Sequence, residues 1–175
     1  MNNLLSLEQG GAVIKRDDPW TLVRDAEAPL PEGALILPLA LWLSRRIAPD
    51  PPHDAVWLGP DDEVEHLQPW LEVLPLIALD FPSFRDGRAY SQAYLLRTRM
   101  GWQGELRAVG DVLRDQLSHM RQCGFDGFAV REDKSAADAL KGLAGMSVSY
   151  GRSVIEPRPL FRRRQAVTSM PGRQD

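Results

Sequence analysis

The sequence predicts an α/β fold: a mostly parallel sheet built from successive βαβ units, an open sheet or a partial barrel, entered through a short N-terminal hairpin. Three observations carry this. Short apolar runs near Ile36, Val56, Ile77, Arg107 and Phe128 recur about one strand-plus-helix apart. The stretches between them have helical periodicity. And 175 residues fall short of the roughly 200 or more that a closed eight-unit barrel needs, while sufficing for one ordinary domain core.

Taken in order, Met1 to Gly11 shows no period and is expected to be a loose terminus. Ala12–Arg16 and Trp20–Arg24 read as the two hairpin strands, joined by the turn-rich Asp17-Asp18-Pro19. Pro29, Pro31 and Gly33 mark a loop. Ala34–Leu37 reads as a strand, Leu39–Ile47 as a helix broken by the prolines near 50, and Ala55–Leu58 as a second strand. Asp61-Asp62-Glu63 suit the positive end of a helix-like piece that runs through Leu67 and closes at Pro69. Leu76–Leu79 is the next strand. A long helix follows Asp86 as N-cap, with Ala89, Ala93, Leu96 and Met100 on one stripe and Arg88, Gln92 and Arg99 off it, and Gly101 ends it. Leu106–Val109 leads to a helix capped by Asp111, with Leu113, Leu117 and Met120 inward, and Gly124 stops it. Gly127–Val130 is a strand, Ser135–Leu143 a helix, and Met146–Tyr150 a last strand. Residues 1–150 thus form the domain and 151–175 a basic tail.

Charge is unevenly divided. Six arginines against Glu156 and Asp175 give the tail +4, so residues 1–150 hold −7 of the net −3. An acidic body argues against a nucleic-acid-binding core. No apolar run approaches the roughly 18 residues of a membrane span, and no signal segment opens the chain. With Cys123 alone, no intrachain disulfide can form. A cytoplasmic location is expected.

In an open parallel sheet ligands gather beyond the carboxyl ends of the strands. That rule selects Asp80 with the loop to Gly87, Gly110-Asp111 with Arg114, and Arg131-Glu132. Asp80 and Asp111 are the candidate catalytic carboxylates, sharing a proton or binding Mg²⁺. The plainer reading makes one a buried acid paired with Arg107 or Arg114, and the other a cap. Arg85, Arg88, Arg107 and Arg114 are the candidate anion ligands, since guanidinium groups near helix starts suit oxyanions; the plainer reading leaves Arg85 and Arg88 facing water. His53, His66, His119 and Cys123 share no metal-ligand spacing, so no metal site is expected. Cys123 reads as a small hydrophobe. No glycine-rich dinucleotide loop, phosphate loop, nucleophile elbow or CxxC is present, and no cofactor is expected.

Three strings carry a resemblance: residues 80–92 (DFPSFRDGRAYSQ), 104–116 (GELRAVGDVLRDQ) and 121–126 (RQCGFD). Together they resemble the bacterial DUF934 family over roughly Trp20 to Tyr150. Its members are often encoded beside assimilatory sulfite reductase, and some are described as oxidoreductases of sulfite reduction. The resemblance implies a sulfur-assimilation setting. Three roles fit it: an accessory protein for sulfite reductase or another sulfate-assimilation protein; a small-anion enzyme using Asp80, Arg88, Arg107, Asp111 and Arg114; or a sensor of a sulfur metabolite. A homodimer is also expected, to bury Trp57, Trp70 and Trp102.

Overall fold

The computed structural model describes residues 3–8, 11–48, 52–143 and 154. Eight strands form one sheet: β1 (Leu4–Glu8), β2 (Gly11–Lys15), β3 (Trp20–Leu22), β4 (Ala34–Pro38), β5 (Ala55–Leu58), β6 (Leu76–Phe81), β7 (Glu105–Gly110) and β8 (Gly127–Ala129). Their spatial order is β2-β1-β8-β7-β6-β5-β4-β3. Helices α1 (Leu39–Arg45), α2 (Arg88–Thr98) and α3 (Leu117–Cys123) lie in the crossovers after β4, β6 and β7, and α4 (Ala136–Leu143) follows β8.

The α/β class stands, but the sheet is mixed rather than mostly parallel. From β3 to β8 the pairings are parallel, while β1 pairs antiparallel with both β2 and β8. The N-terminal hairpin exists, and the strand expected at Ala12–Arg16 is present as Gly11–Lys15, but its partner is Leu4–Glu8, within what reads in sequence as a loose terminus. Trp20–Leu22 is no hairpin partner; it lies at the far edge, parallel to β4. The reason is burial. Leu5 points into the core beneath the helices and Leu4, by the period of two, to the inside of the curl; both are fully buried because both faces are covered, so no alternation marks the strand.

Chain geometry then forces the sheet to curl. Lys15 and Trp20 end opposite edges, and the four residues between them span at most about 18 Å. Eight strands laid flat would put those edges about 34 Å apart. The sheet is therefore an open, curled half-barrel, with residues 16–19 bridging its edges. Side chains alternate between its faces. Ile77, Leu79 and Phe81 of β6 join the main core beneath the helices, with Trp42, Leu96 and Phe128. Leu76 and Ala78 point the other way, into a smaller cluster with Ile36, Ala55 and Val109, against which Trp20, Leu22 and Trp57 pack. That second face is the inside of the curl. Arg107 on β7 points into it, wholly buried, and its Nη1 and Nη2 meet both carboxylate oxygens of Asp18 at 2.9 and 3.0 Å. Glu105 accepts from the same guanidinium at 2.8 Å. The turn-like Asp17-Asp18-Pro19 thus carries the acid that neutralises a buried arginine.

Three local expectations shift. The piece after β5 is a 3₁₀ segment, Val64–Trp70, which runs through Pro69. Gly87, not Asp86, caps α2, and Asp86 accepts the Arg88 amide at 3.0 Å, an Asx-type turn. Asp111 caps nothing, because the chain first makes a 3₁₀ turn at Arg114–Gln116 before α3. Gln92 also departs from expectation: it is buried, its Nε2 donating to the carbonyls of Gly59 and Asp62 at 2.8 Å. The expected strand Met146–Tyr150 and the basic tail lie outside the described residues.

The tryptophans that motivated a dimer are packed within one chain. Trp102 is buried, Trp70 meets Trp42 edge-on at 5.9 Å, and Trp57 donates to the Val23 carbonyl at 2.9 Å. Among the described residues no helix is long and apolar enough to cross a membrane.

Candidate functional site

The parallel strands β3 to β8 end on one side of the sheet, and the polar side chains that gather there come from segments far apart in sequence. Asp80, next to last in β6, points into the curl by the strand's period of two. Arg24 follows β3 and reaches across to it: Nη2 lies 2.8 Å from Asp80 Oδ1. Three strand positions separate β3 from β6, so only the curl lets these residues meet. The Arg24 guanidinium also lies 5.0 Å from the ring centroid of Trp57, a cation–π contact that holds it over β5. The Arg24–Asp80 contact is ionic without hydrogen-bond alignment, and no aligned hydrogen bond to the buried Asp80 Oδ1 is present among the described residues.

Beside this pair, Asp111 and Arg131 form a second. Asp111 Oδ1 accepts from Arg131 Nη1 at 2.9 Å, and its Oδ2 from the Phe84 amide at 2.8 Å. The Phe84 N–H and then the Arg131 guanidinium hold the Asp111 carboxyl below its usual range. Arg131 is gripped further by Asp133, through Nε at 2.9 Å and Nη2 at 3.0 Å. Its guanidinium is thereby aimed, with N–H groups still unspent.

Two adjoining cavities share Arg24, Gly110 and Arg131. One, of about 480 Å³, has an apolar floor of Trp20, Leu22, Val109 and Ala129. The other, of about 460 Å³, holds Asp80 and Asp111. Both volumes fall in the range of small-molecule sites. Gly110 makes the junction possible. Its φ is +91°, and a Cβ there would sit 2.4 Å from the Phe81 carbonyl and 2.6 Å from Asp80 Oδ1.

The structure thus brings Asp80 and Asp111 together at one cavity, but their ionic partners are Arg24 and Arg131, rather than Arg107 or Arg114. The four nominated anion ligands are dispersed. Arg107 is buried against Asp18 and Glu105. Arg88 pairs with Asp86 and Asp61, Arg114 with Asp138 at 3.1 Å, and Arg85 lies over the Phe84 ring at 5.3 Å. Arg131 stood among the strand-end residues in the sequence; Arg24 gave no local sign, because its place depends on the curl.

His119 packs on Tyr90, with ring centroids 4.6 Å apart, and its Nε2 is 3.9 Å from Cys123 Sγ. Burial pushes the Cys123 thiol up, which disfavours thiolate, so this pair extends the core contact of α3 with α2. Among the described residues no three His, Cys, Asp or Glu side chains gather as a metal site would require.

The sequence model of the family described as bacterial protein of unknown function (DUF934) matches residues 55–161. The match starts at β5, later than the Trp20 expected from the resemblance, and takes in Asp80, Gly110, Asp111 and Arg131 but not Arg24. No curated protein matches the chain. With more than half of its length covered, the chain belongs to the DUF934 family.

Proposed function

We propose that the protein is an accessory protein of assimilatory sulfate and sulfite reduction that acts by binding, supporting sulfite reductase or another protein of that pathway, with the strand-end cavity as its recognition site. The setting follows from the family resemblance described above. One observation carries the binding role: both carboxylates at the cavity are committed to arginines, Asp80 to Arg24 and Asp111 to Arg131 and the Phe84 amide. Asp111, whose carboxyl these bonds hold below its usual range, is a weak general base, because a useful base sits nearer neutrality. Tagged protein retained from sulfate-starved cells should bring down sulfite reductase subunits, identified by mass spectrometry. Recovery of the bait alone would count against the reading.

A second reading is a small-anion enzyme or oxidoreductase acting in sulfite reduction. The meeting of Asp80, Asp111, Arg24 and Arg131 at one cavity favours it. It requires that Asp111→Asn abolish turnover of a sulfur oxyanion while the fold, followed by circular dichroism, is kept.

A further inference from the structure

The charge of the cavity identifies a ligand class narrower than "anion". Two arginines, Arg24 and Arg131, line it, against Asp80, Asp111 and Glu132. A bare oxyanion such as sulfate would meet a wall with at least as much negative as positive charge. The arginines nevertheless remain open to a ligand: their side chains are 44% and 41% exposed, and each carries more N–H groups than its neighbours use. The acid is in the opposite state. Asp80 is only 8% exposed, and its buried Oδ1 meets the Arg24 guanidinium at 2.8 Å without hydrogen-bond alignment. A buried carboxylate oxygen held only by a misaligned contact is better satisfied by an aligned, charged donor. Beside it, Trp20, Leu22, Val109 and Ala129 give a floor that suits hydrocarbon.

We propose that the cavity takes an α-amino acid with an apolar side chain, its carboxylate held by Arg24 and Arg131, its ammonium by Asp80, and its side chain on the floor by Trp20. The inference rests on the cavity being the recognition site assigned above. A zwitterion adds no net charge to a site whose acids already outnumber its arginines, and it supplies an acceptor for the arginines' unspent N–H groups and an aligned donor for Asp80. The Asp80–Arg24 ion pair then opens slightly rather than breaks, each partner gaining an opposite charge from the ligand.

The test is calorimetric titration of the full chain with L-leucine, L-methionine and L-phenylalanine. Three controls accompany it: 4-methylpentanoate, which is leucine without its ammonium; 3-methylbutylamine, leucine without its carboxylate; and sodium sulfate. At least one amino acid should bind, and leucine should bind about tenfold or more tightly than either of its halves, the worth of one charged hydrogen bond. Sulfate should bind more weakly still. Asp80→Asn should bring leucine down to the affinity of 4-methylpentanoate while leaving 4-methylpentanoate unchanged. Equal binding of leucine and 4-methylpentanoate, tighter binding of sulfate, or no amino-acid binding at all would each overturn the proposal. Because the wild-type panel decides without the variant, a folding defect in Asp80→Asn does not blunt the test. Retention of sulfite reductase with no amino-acid binding would sink this proposal alone; amino-acid binding with an empty pull-down would sink only the accessory reading.

Discussion

Replacing Asp18 by alanine would take from Arg107 its bidentate partner inside the curl. Both side chains have no exposed surface, and the two hydrogen bonds between them, at 2.9 and 3.0 Å, are bidentate. Removing one partner of a buried pair costs about 3–5 kcal/mol, because the other charge stays in place uncompensated. Glu105 remains on the other flank of the guanidinium, at 2.8 Å from Nε, and its side chain is 24% exposed. The lower end, about 3 kcal/mol, is therefore expected for Asp18→Ala. For a chain of this size that is a fall of about 6–12 °C in Tm. Urea unfolding followed by tryptophan fluorescence is the assay, since a shifted midpoint at constant slope isolates stability. Arg107→Met combined with Asp18→Leu should recover most of the loss, as apolar replacements of buried pairs commonly do. A cost below about 1 kcal/mol for Asp18→Ala, or simple additivity of the two single changes in a double-mutant cycle, would refute the view that this pair fastens the bridge between the edges.

Other perturbations follow from the same geometry. Arg97→Ala should cost about 3 kcal/mol or more in urea unfolding, since its guanidinium serves the carbonyls of Trp102, Gly104 and Gly124 as well as Asp126. Arg97→Lys should recover only part of this, as one ammonium cannot span that fork. Gly110→Ala should lower stability by about 3 kcal/mol or more and abolish the amino-acid binding proposed for the cavity. Gly33→Ala, also at positive φ (+104°) but with nothing within 4 Å of its Cβ, should cost only about 1 kcal/mol, and equal losses would contradict the close approach at Gly110. Acid should destabilise the fold. Asp111, Asp133 and Asp138 have lowered folded pKa values, from their bonds to Phe84 and Arg131, to Arg131, and to Lys141 and Arg114, so the stability they contribute is present above about pH 4 and is lost as pH falls through those lowered values. In thermal melts between pH 6 and pH 2, Asp111→Asn should flatten part of that decline; an unchanged profile would show that the Arg131 contact is solvated away.

What could be read from the sequence was whatever repeats locally. The strands around Val56, Ile77 and Ala108, and the stripe of Ala89, Ala93 and Leu96, are found where apolar period and length placed them. Leu4–Glu8 escaped because Leu4 and Leu5, on opposite faces of the sheet, are both buried, so its burial does not alternate. Asp86 and Asp111 carry the composition of helix caps, yet a local turn onto the Arg88 amide claims the first carboxylate and a tertiary bond from the Phe84 amide the second. Asp18 has turn chemistry on both sides and a structural partner 89 positions away. For the site, strand-end logic found Asp80, Asp111 and Arg131. Arg24 required knowing how far the sheet bends, and no short window of residues encodes that.

The seating of β1 beside β8 has a consequence for the order of events when the chain is made. Asn3 hydrogen-bonds the Arg131 carbonyl across 128 positions, and Leu5 pairs with Phe128. β1 has β2 beside it almost at once, but its other edge must wait for β8. Closing so long a loop is entropically slow, and contacts of this separation mark slow-folding topologies. Until then β8 presents a bare edge, the kind that recruits strands from other chains. A fragment beginning at Ala55, where the family match starts, would keep that edge for good and bare β5 as well. The hairpin at the N-terminal end is thus a latch against misassembly, and its absence should show as aggregation during refolding before it shows as lost helix.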